Sequence, residues 1–382
     1  MRIVSIIGAR PEFVQVAVLS REIRRRHEEI LIHTGQHYDA NMSQGFFDEL
    51  AIPEPEINLG IGSMAASAQC GEMIAKLASA IEEAEPDLVI VRGDTNSTLA
   101  GAIVTKQLLL PLVHIEAGMR SYDRTMPEEI NRVVADHLAD VSLVVDDATA
   151  ERLALEGIRR DVHVVGDVMY DIYLASLPHA INRLPAAAAA LAGAPYDLLT
   201  IHRSENTDDR TRLAAILRAF AAAPNPVLFP IHPRTRARIA EFGIELPAQI
   251  VPLEPFGYLQ MVEAERGARA IFTDSGGVQR EAYFAGRPCV TLRDTTEWTN
   301  TVEAGWNHLT GADGDRIARF LRDVPAVPKA HPPLFGHGDA AQRIVAALEG
   351  PGVAQIVRDA AAARASRGVG LKRSGRLGSQ AG

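Results

Sequence analysis

Carboxylates at Asp94, Glu116 and Glu128, an imidazole at His202 and the turn Asp274-Ser275-Gly276-Gly277 are the groups in this chain whose types and spacing invite chemistry. Asp94 follows the apolar run Asp87–Val91, and Glu116 follows Leu112–Ile115. Two acids at the ends of neighbouring buried strands repel each other and lose solvation, which a purely structural site rarely accepts. General acid–base work is the chemistry such a pair can do. Glu128 lies in Pro127–Arg132, where a proline opens a helix. Glu128 and Arg132 stand i to i+4, so a helix salt bridge accounts for them on its own; the company of Asp94 and Glu116 adds Glu128 to the acids. His202 ends the run LLTI and either closes a core or joins the chemistry. His33, His114, His163 and His232 are read as core or capping histidines.

The glycine-rich turn has two readings. It is either a helix cap with glycines for close packing, or an anion site in which the free N–H groups of a helix start meet a phosphate. Glu281, six residues past Ser275, is within reach of ribose hydroxyls on the second reading. Arg10, just before a proline-started helix, suits a diphosphate.

The elements that must position these groups alternate regularly. Strand-like runs at 2–7, 29–33, 87–91, 112–115, 141–145 and 162–165 are separated by helical stretches. The scheme repeats at 197–201, 227–231, 250–251, 270–273 and 289–292. Apolar runs of about five residues between helices indicate parallel strands covered on both faces. An α/β architecture follows: two Rossmann-like, doubly wound domains (1–173 and 197–350), joined by an alanine- and proline-rich connector at 174–196, with a cleft between them. Polar groups end nearly every strand, where open parallel sheets bind ligands. The last helix of the second segment, 340–349, is expected to pack on the first domain. Residues 364–382 have few large apolar side chains and read as a loose basic tail.

The bulk numbers exclude several classes. With 382 residues, about two domains are expected. The net charge of −9 disfavours broad nucleic-acid binding. Two cysteines cannot build a disulfide framework, and Cys289 reads as core. The chain opens on a strand-like segment without a signal peptide, and no apolar run approaches ~18 residues. A cytoplasmic protein with no membrane partner is expected. GxGxxG after the first strand, GxxxxGK[ST], HExxH and paired-cysteine spacings are all absent, so neither a metal nor a cofactor is expected.

In order along the chain stand GARPEF (8–13), HTGQHYD (33–39), GDTNSTLAG (93–101), HIEAGMRS (114–121), PEEINR (127–132), GDVMYD (166–171), HRSEN (202–206), HPRTR (232–236), DSGGVQREA (274–282) and RDTTEW (293–298). Over roughly residues 1–350 this pattern resembles the non-hydrolysing UDP-N-acetylglucosamine 2-epimerases. The resemblance implies a GT-B fold, a homodimer, and a UDP-sugar as substrate. It implies elimination of UDP across C1–C2 to 2-acetamidoglucal and re-addition, interconverting UDP-GlcNAc and UDP-ManNAc. Asp94, Glu116 and Glu128 then match the catalytic acids, and His202 the functional histidine. Arg10, Gln15, Arg132, Phe256, Met261, Ser275, Gly276, Gly277 and Glu281 fall at substrate-binding positions.

Departures qualify the match. A lysine usually stands where this chain has Gln15, and an arginine segment is replaced around Trp298. Segment 255–261 and the TEW run look more like relatives acting on UDP-2,3-diacetamido-2,3-dideoxyglucuronate, the alternative substrate. Members activated by a second substrate molecule carry a different segment at 36–40, which puts such activation in doubt. Outside the class stand a GT-B glycosyltransferase and a non-catalytic sugar-nucleotide binder.

Overall fold

The computed structural model describes residues 1–36, 49–191 and 193–367, apart from the side chain of Arg10. Segment 37–40 and residues 368–382 of the expected tail lie outside the described residues; 364–366 end a helix, Pro351–Ser366, that continues beyond the expected last element. The chain forms two compact units. One comprises Met1–Val168 together with the chain from Asp339 onward, and the other Met169–Gly338. Residues 174–191 and 193–196 belong to the second unit and hold the short helix Ala186–Ala189.

The first unit carries a seven-stranded sheet in the order β3-β2-β1-β4-β5-β6-β7. These strands are β1 (Arg2–Ile7), β2 (Glu28–His33), β3 (Ile57–Asn58), β4 (Leu88–Arg92), β5 (Leu112–Ile115), β6 (Val141–Val144) and β7 (Val162–Val164). Every pairing is parallel. Valine and isoleucine dominate because both faces are covered. One face buries Val4, Ile6, Val89 and Val91 against Met73, Leu77 and Ile81 of helix Ala66–Ala84. The other buries Ile3, Ile90 and Val113 against Leu19 and Ile23 of helix Arg10–Arg24 and against Ala341, Ile344 and Leu348 of helix Ala340–Leu348.

The second unit carries a six-stranded parallel sheet in the order β10-β9-β8-β11-β12-β13. Its strands are β8 (Asp197–Thr200), β9 (Val227–Pro230), β10 (Ile250–Leu253), β11 (Ile271–Thr273), β12 (Cys289–Thr291) and β13 (Asn307–Leu309). Leu199, Phe229, Phe272 and Val290 pack against Leu213, Ile216 and Leu217 of helix Arg210–Ala219. Each unit is thus a Rossmann-like doubly wound layer, as in GT-B folds.

Both strand orders reverse direction once. In the first unit the reversal falls between β1 and β4, in the second between β8 and β11. Connections on either side of such a point leave by opposite faces, so the carboxyl ends of those strands border a crevice. The sheets therefore place their site turns at 8–9 and 93–94 in one unit, and at 201–203 and 274–277 in the other.

Candidate active site

At the first reversal point, Glu12 stitches the two turns together. Its carboxylate accepts hydrogen bonds from the amides of Gly8 and Ala9, at 2.6 and 2.7 Å, so the helix Arg10–Arg24 starts on its own side chain. The other oxygen accepts from the Thr95 hydroxyl at 2.8 Å. Burial pushes the Glu12 carboxyl up to about 7, against those hydrogen bonds and the charge of Arg92, which pull it down. Gly8 has no room for a side chain, since an added Cβ would stand 2.0 Å from the Ser97 hydroxyl. Arg92 is wholly buried; burial holds its pKa below the usual range while Glu29 and Glu12 offset part of that, and its guanidinium finds no hydrogen-bond partner among the described residues.

Asp94 follows β4 and is half-buried. Its carboxylate pairs with the buried guanidinium of Arg132, from helix Pro127–Leu138. The next residue on that helix, Asn131, donates to the Asp94 carbonyl at 3.0 Å. Arg132 also lies 3.5 Å from Glu129, which is buried and caps the turn by accepting from the Ser121 and Tyr122 amides. Glu128 stands half-buried in the first turn of the same helix.

Glu116 follows β5 with a left-handed backbone, φ +65°, which a non-glycine residue adopts only at a cost. Its carboxylate accepts from the Gln15 side-chain amide at 2.6 Å. Gln15 is buried, and its carbonyl oxygen has no hydrogen-bond partner among the described residues. Gln15, Glu116, Gly166, Asp167 and Val168 line a small pocket. The first unit thus gathers Asp94, Glu116, Gln15 and Arg132 around the ends of adjacent strands.

At the second reversal point Asp274 is wholly buried and serves as an anchor. It accepts from the amides of His202 and Arg203, at 3.0 and 3.1 Å, and from Asn206 at 3.1 Å. Burial would raise its pKa, but His202 and the other donors hold it below the ordinary value. The His202 ring lies beside it, with Nδ1 3.3 Å from the carboxylate, and its other neighbour is the His232 ring at 5.8 Å. Ser275 caps helix Gly276–Phe284, its hydroxyl accepting from the Val278 amide. Gly277 is open, whereas a Cβ on Gly276 would meet the Glu297 carboxylate at 2.2 Å. Glu297 is tied in turn to Arg293 at 2.9 Å. Glu281 is buried in the same helix. Phe256 and Met261 both sit in an apolar cluster with Leu253 and Val278.

This arrangement offers two chemistries. The first unit holds carboxylates with fixed donors, suited to moving protons; the second presents helix amides beside an imidazole, suited to an anion. Among the described residues no three His, Cys, Asp or Glu side chains gather as metal ligands would.

A family model described as UDP-N-acetylglucosamine 2-epimerase matches residues 21–349. The chain belongs to that family. It is therefore an enzyme of the isomerase class, related to epimerases acting on a UDP-sugar. A UDP-N-acetylglucosamine 2-epimerase homolog of Methanococcus maripaludis is 44% identical, across 91% of this chain and 99% of the relative. The UDP-2,3-diacetamido-2,3-dideoxy-D-glucuronate 2-epimerase of Pseudomonas aeruginosa is 41% identical, across 90% and 98%. The crystal structure of Methanocaldococcus jannaschii UDP-GlcNAc 2-epimerase in complex with UDP-GlcNAc and UDP has a TM-score of 0.84 and 37% identity, covering 91% and 99% of the two chains.

Several residues of this epimerase-family site escaped the sequence reading. Glu12 sits inside the GARPEF motif, three residues after the position that caps the helix, a spacing at which glutamate commonly reaches back to the start of a helix. Glu265, on helix Tyr258–Gly267, is fully buried; burial, and then the negative charge of Glu281, push its pKa well above the ordinary range. No sequence signal marked it. Trp298, by contrast, stood out in the sequence as a departure; it is buried with the Arg280 guanidinium 4.5 Å above its ring.

Proposed function

We propose that this chain inverts C2 of a UDP-linked N-acetylated sugar, converting UDP-GlcNAc to UDP-ManNAc without redox chemistry. The observation that carries this reading is the placement of acids and anion donors at the two sheet reversal points. Asp94 and Glu116 leave the adjacent strands β4 and β5 at and beside one reversal point, while His202 and the Ser275–Gly277 amides leave β8 and β11, which flank the other.

The C2–H bond has no adjacent carbonyl, so a carboxylate with a pKa near ~4 cannot take that proton to a free carbanion. Removal is coupled to departure of UDP. The C2–H electrons become the C1=C2 bond of 2-acetamidoglucal while the C1–O bond breaks and UDP leaves with its electron pair. The growing charge on the diphosphate is met by Arg10 and the helix amides, with His202 alongside. In the return step the diphosphate oxygen rejoins C1 and a carboxylic acid delivers a proton to the opposite face of C2. Asp94, Glu116 and Glu128 supply the base and the acid. Arg132 and Gln15 hold the first two in place, and Glu281 takes the ribose. Phe256 and Met261 shape the nucleotide side.

On this reading residues 1–173 handle the sugar and 197–350 the nucleotide, in a cytoplasmic homodimer. The product serves surface-polysaccharide synthesis. The second substrate reading, UDP-2,3-diacetamido-2,3-dideoxyglucuronate, is favoured by the TEW segment, whose Trp298 stacks on Arg280, and by the likeness to the Pseudomonas enzyme.

The experiment is proton NMR in D2O with each UDP-sugar in turn. Deuterium at C2 together with the appearance of the 2-epimer identifies the substrate. Binding of both sugars with C2–H intact in both would leave a glycosyltransferase or a binding protein, and the proposal would fail.

A further inference from the structure

His114 lies on β5 two residues before Glu116 and has no solvent exposure. Its Nδ1 stands 2.7 Å from the Asp136 carboxylate, and its Nε2 2.8 Å from the carbonyl oxygen of Gly93, the residue before Asp94. Asp136, on helix Pro127–Leu138, is equally buried. It also accepts from the Gly118 amide at 3.1 Å and from Arg120 at 2.6 Å. Arg120 grips Glu156 with two further nitrogens, at 2.9 and 2.6 Å. The groups facing the ring are thus Asp136 from the helix, Arg120 and Glu116 from the β5 turn, Glu156 through Arg120, and the uncharged Ser142 beside it on β6.

A carbonyl oxygen only accepts, and a carboxylate held by an arginine and an amide only accepts. With Asp136 ionised, both ring nitrogens donate and so both carry hydrogen. The two turns gripped by this pair are the ones whose backbones need holding. Gly93, Glu116 and Gly118 all adopt left-handed conformations, at φ +62°, +65° and +78°.

We infer that His114 is a buried imidazolium and, with Asp136, a positioning pair for the two acids: the ring holds the Gly93 carbonyl just before Asp94, and Asp136 holds the Gly118 amide just after Glu116. Asp94 and Glu116 matter here because of the proposed reaction, on which the kinetic part of this inference rests. Burial disfavours charge on the ring, but the Asp136 charge and hydrogen bond and the Gly93 carbonyl outweigh it, and the imidazole titrates above its ordinary value. Burial likewise opposes the Asp136 charge, while His114 and Arg120 hold that carboxyl below the usual range. The negative charge of Glu116 lies close enough to the ring to raise its pKa further.

The test uses the intact enzyme with 15N-labelled histidine, His114 being assigned by its absence in His114→Gln. Both ring nitrogens should give imidazolium shifts with attached protons, unchanged from about pH 6 to pH 9. An unprotonated Nδ1 in that range, with the proton on Asp136, would overturn the inference. In Asp136→Asn the ring should lose its second proton near neutrality, and a His114 signal that still reports imidazolium there counts against it equally. In the kinetic arm, His114→Gln keeps a donor for Gly93 but no charge. We expect kcat to fall about 10–100-fold, UDP affinity to stay within about twofold, and the acid limb of the kcat profile to move to higher pH. Unchanged kcat refutes the positioning role, and so does lost stability with an unmoved limb. The ring spectrum needs no turnover, so failure of the epimerase proposal and failure of the ion pair are seen separately.

Discussion

Glu12 is a carboxylate placed where burial and hydrogen bonding pull in opposite directions, and replacing it with glutamine measures which prevails. Burial lifts its pKa from the ordinary 4.5 to about 7. A carboxyl whose folded value is raised favours folding when protonated. Its contribution is fully present below the unfolded pKa and is lost as pH rises through the folded one. At ~1.4 kcal/mol per pH unit, the wild-type chain should lose about 2.5 kcal/mol between pH 5 and pH 8 that Glu12→Gln does not lose. For a unit of this size that corresponds to about 5–10 °C in melting temperature. The assay is differential scanning calorimetry of both proteins at pH 5, 6, 7 and 8. The wild-type melting temperature should fall relative to the variant across that range, most steeply at about pH 5.5–6.5, between the unfolded and folded values, and levelling off above pH 7. Parallel curves would mean that the Gly8 and Ala9 amides and the Thr95 hydroxyl keep Glu12 ionised throughout, and the reasoning from burial would be refuted.

Asp94→Asn, Glu116→Gln and Glu128→Gln should each lower turnover by about 10²–10⁴-fold while UDP still binds by calorimetry; near-normal epimerisation in all three would remove them from the mechanism. Gly276→Ala forces a Cβ into the Glu297 carboxylate, so both thermal stability and UDP affinity should fall, the latter at least about tenfold, or ~1.4 kcal/mol. Gly277→Ala, where the nearest atom is 3.7 Å away, should leave stability unchanged, and equal losses in the two variants would contradict this account. Gln15→Lys puts an ammonium against Glu116, which favours the carboxylate and should shift the limb that Glu116 contributes to the kcat/KM profile to lower pH. An unmoved limb would separate Gln15 from the titrating acid.

The sheets were legible in the sequence wherever a strand is a run of valine, isoleucine or leucine between helices. β4 and β5 are such runs, and their ends fall within a residue of the expected positions. β3 and β13 left no trace, because Ile57–Asn58 and Asn307–Leu309 are two or three residues long and carry asparagine or histidine. Of the site, residues that terminate strands could be picked out by position alone. Residues that work through a distant partner could not. Arg132 stands four places from Glu128 and reads as its helix partner, yet its guanidinium reaches Asp94, 38 residues upstream. His114 looks like an ordinary core histidine until Asp136 and Gly93, each about 20 residues away, are brought to its two nitrogens. Gly276 reads as a phosphate-binding glycine, but the atom that forbids a side chain there belongs to Glu297, 21 positions on.

The helix Ala340–Leu348 completes the first unit although the whole second unit intervenes in the chain. During synthesis the second unit, contiguous from Met169 to Gly338, has all its strands available before that helix has been made. Ile3, Leu19 and Ile23 must meanwhile wait with one apolar flank exposed to water. The unit that bears Asp94 and Glu116 is thus the last to be sealed, and truncations near the carboxyl terminus should harm the unit at the opposite end of the sequence first.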